Sequence, residues 1–288
     1  MVNTRQLEKL MGRIELSEPD HAPVKAARYS LALSGRRGGR PDSSVPLALS
    51  RSEASAESNW IALTPAEPAD DIPSRLKDLN QLAQSASMRA RFDVLRGQLM
   101  QRFGDQKLTC IGLAAPHRGA GASFTMAGLV GSFARRKDLR VVALDLDPIA
   151  PSLHMFLEVE QSRPITELVA GYSEPQSHLR RLGEGVALGL GQVRADEDAT
   201  ALSPQHLRLF LDEIRKLLMP DLILCDLPPL LEGDLGMSMA SQMDATLLIV
   251  DSGETAAEHV RACEVLMSGQ TSFLGLVLNH FRGRSSAS

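Results

Sequence analysis

Cysteine and long hydrophobic runs are both scarce in this sequence, and each shortage excludes a class of protein. The 288 residues include three cysteines, which lie far apart at Cys110, Cys225 and Cys263. An odd, unclustered set of this kind favours free thiols in a reducing compartment over a disulfide framework or a zinc site. No segment approaches the roughly 20 apolar residues that a helix needs to span a bilayer. We therefore expect no transmembrane segment.

Charge and composition set further limits. The formal net charge is −4 at pH 7, which gives no reason to expect nucleic acid as a partner. Residues 1–18 carry charges throughout and lack the apolar stretch of a signal peptide. The sequence therefore predicts a cytoplasmic protein and leaves open a peripheral attachment to the inner membrane through a partner. Hydrophobic residues make up 43% of the chain, enough for one α/β domain with an extension or for two small domains.

The composition divides the chain into three regions. Residues 1–16 predict a short amphipathic helix that docks either on its own domain or on a partner, because it is too short to be stable alone. Its apolar stripe consists of Leu7, Leu10, Met11 and Ile14. Residues 17–75 are rich in Ser, Pro, Ala, Gly and charge, which predicts a mostly disordered linker. We expect the folded domain to span residues 76–284.

Apolar strands and helices alternate over this domain. The expected strands are 108–115, 140–147, about 185–190, 222–226, 245–250 and 273–278. The expected helices are 73–103, 123–137, 151–170, 203–219 and 255–267. This alternation indicates parallel βαβ units. The predicted fold class is α/β, a mostly parallel sheet with helices on both faces, preceded by a largely disordered arm.

A glycine-punctuated turn follows the first of these strands. Strand, glycine loop and helix are the parts of a phosphate-binding P-loop, in which backbone N–H groups and a helix N-terminus face an anion. The usual pattern is G-x-x-x-x-G-K-[ST]. Here Pro116 replaces the first glycine, Gly121 is the second, and Ser123 is the hydroxyl residue. Ala122 stands at the lysine position, so the loop is present but its main cation is missing.

Three aspartates lie at the ends of predicted strands. Asp145 and Asp147 end the second strand, and Asp226 ends the strand before two prolines. Ligands of open α/β sheets bind at the carboxyl ends of strands. Magnesium prefers oxygen ligands, and Ser123, Asp147 and Asp226 would supply them. The alternative is that these aspartates only cap the turns that follow.

From about residue 91 to 282 the sequence resembles the cytoplasmic domain of the bacterial tyrosine kinases of capsule and exopolysaccharide systems. These kinases belong to the deviant-Walker ATPases, together with the plasmid-partition and septum-site ATPases. The matching stretches are FDVLRGQL, PHRGAGASFTMAGLV, VVALDLDPIAPSLH, DLILCDLPPLL, DATLLIVDSGET and GLVLNHF. The resemblance implies a P-loop NTPase fold that binds ATP or ADP with Mg²⁺. It also implies a membrane chain-length or export protein as partner, and a homo-oligomer.

The resemblance assigns roles to particular residues. The nucleotide-binding residues would be Gly119, Ala120, Gly121, Ala122, Ser123, Phe124 and, at the adenine, Asn279. The catalytic residues would be Asp145 and Asp147 in the second Walker motif and Asp226 in the Walker B motif. The magnesium ligands would be Ser123, Asp147 and Asp226.

The sequence also departs from the family at several positions. Ala122 replaces the loop lysine, and His117 replaces the extra lysine of the partition and septum-site ATPases. The other departures are Gly128 for an asparagine, Ile149 or Ala150 for an arginine, and Ala90, Asp93 and Arg96 at the E-x-x-R-x-x-R oligomerisation motif. The C-terminal tyrosine cluster is also missing, because the two tyrosines are Tyr29 and Tyr172.

These departures favour a kinase-like regulatory or scaffold protein of polysaccharide synthesis and export, with impaired phosphotransfer. A working tyrosine autokinase or ATPase is the alternative. It would need a substitute cation, for which Arg118 is a better candidate than His117 because its guanidinium is always charged. A partition or positioning ATPase is a third, weaker interpretation.

Overall fold

An eight-stranded, mostly parallel sheet organises the part of the chain that the structure describes. The structure is a computed structural model, and it describes residues 51–106, 108–161, 163–191 and 202–280. The strands are β1 (Thr64–Pro65), β2 (Cys110–Ala114), β3 (Val141–Asp145), β4 (Arg180–Leu182), β5 (Val186–Gly189), β6 (Leu222–Asp226), β7 (Ala245–Asp251) and β8 (Ser272–Asn279).

Helices connect these strands along the chain. They are α1 (Arg51–Ala62), α2 (Ser74–Ala83), α3 (Ala86–Gln106), α4 (Ala122–Ala134), α5 (Leu153–Leu157), α6 (Ile165–Val169), α7 (Pro175–His178), α8 (Pro204–Leu218), α9 (Leu235–Ala240) and α10 (Ala257–Met267). Among the described residues, no helix is both long enough and apolar enough to cross a membrane.

The sheet has the strand order β1-β4-β5-β3-β6-β2-β7-β8. All neighbouring strands are parallel except β4 and β5, which pair antiparallel. Every residue of β2, β3, β6 and β7 is buried, as expected for strands with helices on both faces. One apolar cluster contains residues of α1, α6, α8, α9 and α10, and a second contains residues of α3, α4 and α5. The predicted α/β fold is therefore confirmed.

Several predicted elements differ in detail. The helix expected over 73–103 is two helices, which separate at Ser85, whose Oγ accepts a hydrogen bond from Met88 N at 3.4 Å. The helix expected over 151–170 is also two, because Glu158 adopts a left-handed conformation at φ 55° and ends α5. The antiparallel strand β4 was not predicted, since its three residues are too few to give a recognisable pattern.

The prediction of a disordered linker up to residue 75 is wrong from residue 51 onward. Residues 51–62 form α1, in which Trp60 is 2% exposed and donates through Nε1 to the Glu184 carbonyl at 3.0 Å. Asn59 also donates to the Leu217 carbonyl at 3.0 Å, and β1 pairs with β4. The folded body therefore begins before residue 76. The serine and alanine content that suggested a linker is compatible with a helix once one tryptophan is buried.

The remaining domain predictions lie outside the described residues. These are the helix at 1–16, the linker over 17–50 and the last residues of the domain, 281–284. All three cysteines are free and buried. Cys110 and Cys225 lie on the paired strands β2 and β6 with their sulfurs 4.0 Å apart.

Candidate functional site

The predicted P-loop leaves the carboxyl end of β2 and leads into α4. Gly119 and Gly121 have φ of +85° and +95°, a left-handed conformation in which glycine avoids the steric cost of a Cβ. Gly121 occupies the N-cap of α4 and Ala122 is the first helical residue. The first turn of a helix exposes N–H groups without intrahelical partners. This geometry suits an anion such as a phosphate.

A cavity of about 300 Å³ lies over this loop. Its walls come from the loop, the turn after β3, helix α5 and the turn after β6. Of the predicted site residues, the cavity is lined by Gly119, Ala120, Gly121, Ala122, Ser123, Phe124, Asp147 and Asp226. Asp145 and Asn279 do not line it. The fold therefore brings most of the predicted site together.

Arg118 supplies positive charge to the cavity. Its Nη1 donates to Asp147 Oδ2 at 2.6 Å, and its Nε lies 3.2 Å from Glu232 Oε2. Its backbone N also donates to Glu232 Oε1 at 2.6 Å. The hydrogen bond to Asp147 raises the pKa of Arg118 and outweighs its partial burial. The proposed substitute cation is therefore in place, but it is paired with two carboxylates.

Glu232 was missed by the sequence analysis. It lies in the turn after β6, and its contact with Arg118 joins residues 114 positions apart. No local pattern around Glu232 indicates this pairing. Only the topology, which places the turns after β2 and β6 side by side, brings the two residues together.

Asp147 and Asp145 organise the turn after β3. Asp147 Oδ1 accepts hydrogen bonds from the backbone N of Ile149 and Ala150 at 2.9 and 3.1 Å. Asp145 Oδ2 accepts from the backbone N of Ser152 and Leu153, both at 3.0 Å. Burial raises the pKa of Asp145 to about 7, against the effect of these hydrogen bonds. Asp145 is fully buried outside the cavity lining, so its position suits a structural role better than the predicted catalytic one.

Asp226 faces the cavity from the end of β6. Burial raises its pKa well above the usual range, and the neighbouring carboxylates Asp145 and Asp147 act in the same direction. The nearby hydroxyl of Ser123 acts the other way and lowers the pKa. Asp226 is therefore held close to Ser123 in a setting that disfavours its charge.

The predicted magnesium ligands share the cavity, but their arrangement does not fit a magnesium ion. Both oxygens of Asp147 already accept hydrogen bonds, from backbone amides and from Arg118. Among the described residues, no group of three or more His, Cys, Asp or Glu side chains is arranged to hold a metal.

Asn279 contacts the backbone of the loop. Its Nδ2 donates to the Ala120 carbonyl at 3.0 Å. A Cβ added to Gly121 would lie 1.9 Å from the same nitrogen, so the two residues are in close contact. The structure therefore places Asn279 against the loop backbone, whereas the resemblance implied a contact with adenine.

Comparison with known proteins identifies the fold. No protein-family model matches the sequence. None of the curated proteins matches it either. Among solved structures, the kinase domain of the Escherichia coli tyrosine kinase ETK is 21% identical at a TM-score of 0.58, and the match covers 70% of this chain and 79% of that domain. The BceF tyrosine kinase domain is 20% identical at 0.59, with 75% and 90% covered.

The chain has the P-loop fold of the bacterial tyrosine kinase domains. The septum site-determining protein MinD of Pyrococcus horikoshii, in complex with Mg-ADP, is also similar, with 20% identity, a TM-score of 0.52, and 62% of this chain and 72% of that one covered. The predicted resemblance to the tyrosine kinases and septum-site ATPases is thus confirmed for the fold.

Within this tyrosine kinase fold, the departures from the family pattern have local structural partners. His117 Nε2 lies 2.9 Å from Thr255 Oγ1, so it connects the loop to the turn after β7. A Cβ on Gly128 would lie 2.1 Å from the ring of Phe92, so no larger side chain fits there unless that ring moves. These residues therefore support the loop and α4.

The positions on α3 that correspond to the oligomerisation motif make contacts within the chain. Arg96 donates to the Ser132 carbonyl at 2.7 Å and to Asp93 at 3.1 Å. Asp93 also accepts from Arg135 Nη2 at 2.5 Å and from the Ser132 hydroxyl. These bonds fasten α3 to α4, which adjoins the loop.

Proposed function

We propose that this protein is a kinase-like regulatory or scaffold component of capsule or exopolysaccharide synthesis and export. It binds ATP or ADP at the Gly119–Ser123 loop and transfers phosphate poorly or not at all. The observation that carries this proposal is the combination of an intact phosphate loop with an uncharged Ala122 at the lysine position.

The charges around the cavity support a low rate of phosphoryl transfer. Catalysis of phosphoryl transfer depends mostly on positioning and on positive charge at the transferred group. Removing one preorganised donor of that kind costs about 10²–10³ in rate. Arg118 brings one positive charge, but Asp147, Glu232 and Asp226 are close to it or share the cavity. A bound nucleotide would therefore receive less stabilisation in the transition state than a loop lysine would give.

The acceptor side of the reaction also supports this proposal. Tyr172 is the tyrosine of the described residues, and it is 84% exposed and does not line the cavity. Tyr29 lies outside the described residues. We propose that a chain with this loop and these tyrosines acts by docking a membrane chain-length or export protein, which would hold it at the inner membrane. We also propose that the protein forms a homo-oligomer and has no nucleic-acid partner.

The test is a titration of the purified protein with labelled ATP, alongside a turnover and autophosphorylation assay. We expect measurable binding with turnover near background. Ala122→Lys should raise turnover, whereas Ala122→Ser, a control without charge, should not. Robust turnover by the unaltered protein that Asp226→Ala abolishes would contradict the proposal.

The alternative of a working autokinase is favoured by one observation, the position of Arg118 at the cavity. If Arg118 replaces the lysine in catalysis, turnover should be present and Arg118→Ala should abolish it. The third candidate, a partition or positioning ATPase, receives less support. His117 replaces the lysine that those ATPases carry early in the loop, and its ring nitrogen lies within hydrogen-bonding distance of Thr255.

A further inference from the structure

The contacts of Asp147 indicate a different role from that of a metal ligand. One carboxylate oxygen accepts from two backbone amides of its own turn, Ile149 and Ala150, and the other accepts from Arg118 at 2.6 Å. The Asp147 side chain is 10% exposed, so its bond to Arg118 is largely shielded from solvent. Asp147 therefore binds the guanidinium of Arg118 in the position where a metal ligand would bind a metal ion.

The second partner of Arg118 is held more weakly. Glu232 is 36% exposed; its Oε2 lies 3.2 Å from Arg118 Nε, while its Oε1 accepts a hydrogen bond from the Arg118 backbone N at 2.6 Å. Exposed ion pairs of this kind contribute little to stability, because water and salt screen them. The Arg118 side chain is itself 39% exposed at the cavity. The ion pair between Arg118 Nε and Glu232 Oε2 can therefore be exchanged for a different anion at low cost, while the backbone bond to Glu232 Oε1 is kept.

A phosphate group is well suited to that exchange. A guanidinium presents five donors in a plane and binds phosphate through two parallel hydrogen bonds. Arg118 can keep its Nη1 bond to Asp147 while its Nε edge, now on Glu232, turns to the phosphate. The N–H groups of the Gly119–Ser123 loop would contact the same phosphate, because loop and guanidinium line one cavity.

We propose that this site binds the phosphates of a nucleoside diphosphate or triphosphate without magnesium. Arg118, anchored by Asp147, takes the place of the loop lysine and the metal ion together, and the phosphate displaces Glu232. This inference rests on the proposed nucleotide site and specifies how that site works. It also assigns Asp147 and Glu232 opposite roles, since one positions the arginine and the other competes with the ligand.

The experiment measures ADP binding by calorimetry on the full chain, once in EDTA and once in Mg²⁺. We expect the two dissociation constants to agree within about twofold, because Asp147, one of the three predicted metal ligands, is already bonded to Arg118. Arg118→Ala should weaken binding about tenfold or more in EDTA, the usual effect of losing a hydrogen bond to a charged group. Arg135→Ala is the matched control, since Arg135 is 42% exposed and pairs with Asp93 outside the cavity lining.

Two further variants test the separate roles. Glu232→Gln should tighten ADP binding in EDTA, because it removes the competing charge, and an exposed glutamine at this position is compatible with the fold. Asp147→Asn should weaken binding in EDTA as well as in Mg²⁺, whereas the loss of a metal ligand would weaken it in Mg²⁺ alone.

The outcomes separate this inference from the proposed function. Binding that appears only with Mg²⁺ would overturn magnesium-independent binding but would still support a nucleotide site in this protein. Wild-type affinity in Arg118→Ala, or unchanged affinity in Glu232→Gln, would overturn the roles given to these residues. No ADP binding in either buffer would overturn both this inference and the nucleotide-binding part of the proposed function.

Discussion

At the scale of single residues, the shape of the phosphate loop depends on two contacts that fix its backbone. Asn279 donates to the Ala120 carbonyl and packs directly on Gly121. His117 lies within hydrogen-bonding distance of Thr255 on the turn after β7. Both contacts reach the loop from the β7–β8 end of the sheet, so that end sets the loop conformation as much as β2 does.

Gly121 provides the first prediction at this scale. Gly121→Ala places a Cβ in a left-handed conformation, which costs about 1–2 kcal/mol, and brings it against Asn279. We expect reduced ADP affinity and a lower melting temperature. Adding Asn279→Ala should recover part of the loss, because the clash is relieved while the backbone strain remains. The measurement is thermal unfolding and ADP titration of the single and double variants. Wild-type affinity in folded Gly121→Ala would show that the phosphate binds elsewhere.

His178 provides a pH-dependent prediction. Burial lowers the pKa of His178 to about 4; Arg180 and Arg163 also lower it, and the nearby Glu167 acts the other way. An unfolded histidine has a pKa of about 6.5, so between these values the unfolded chain binds more protons. Stability should therefore fall as pH decreases from about 6.5 to 4, by up to about 3 kcal/mol.

The measurement for His178 is the urea midpoint at several pH values in wild type and in His178→Gln. The variant should show a flatter pH dependence over this window. The comparison is between the slopes of stability against pH and not between absolute stabilities, because glutamine also changes packing at this buried position. Equal slopes for the two proteins would contradict the assignment of this pH dependence to His178.

At the scale of elements, the strand ends that carry the site were predictable and the contacts between them were not. Apolar runs located β2, β3 and β6, and the aspartates that end β3 and β6 indicated the site because parallel strands end at one edge of a sheet. The pairing of Arg118 with Glu232 and the fastening of Asn279 to the loop join residues 114 and 159 positions apart. Local periodicity has no signal for such contacts, and only the folded topology creates them.

Helix α1 shows why composition alone misplaced the domain boundary. Its buried face consists of Ala56 and Trp60, followed by Leu63, at positions i, i+4 and i+7. This spacing is typical of a helix, but the serine and alanine content of the segment contains no information about spacing. The guanidinium of Arg140 lies 5.4 Å from the centre of the Trp60 ring, so the tryptophan is also covered from the sheet side.

A substitution pair tests the role of α1. Trp60→Ala should lower the free energy of unfolding by about 3–5 kcal/mol, the usual cost of removing a buried aromatic side chain. Ile61→Ala, on the same helix, is the control, because Ile61 is 63% exposed and surface changes usually cost about 0.5 kcal/mol or less. Urea unfolding of both variants provides the measurement. Similar midpoints for the two would mean that α1 does not contribute to the folded core.

At the scale of the whole molecule, the site is assembled from both halves of the described chain. The loop and the turn after β3 come from the first half, while Asp226, Glu232 and Asn279 come from the second. The sheet order interleaves them, because β2 lies between β6 and β7, and β3 lies on the other side of β6. Neither half contains the cavity alone, so nucleotide binding should report on the integrity of the whole sheet.

The last prediction compares chains that begin at residue 51 and at residue 76. The shorter chain lacks α1 and β1, which leaves β4 without its parallel partner and removes Trp60 from the core of α8 and the sheet. Loss of the buried tryptophan alone is expected to cost about 3–5 kcal/mol, a large share of the 5–15 kcal/mol that stabilises a typical domain. We therefore expect the chain from residue 76 to melt well below the chain from residue 51 and to bind ADP more weakly, although every cavity residue is retained. Equal melting temperatures would place the domain boundary at residue 76 and would show that α1 does not stabilise the domain.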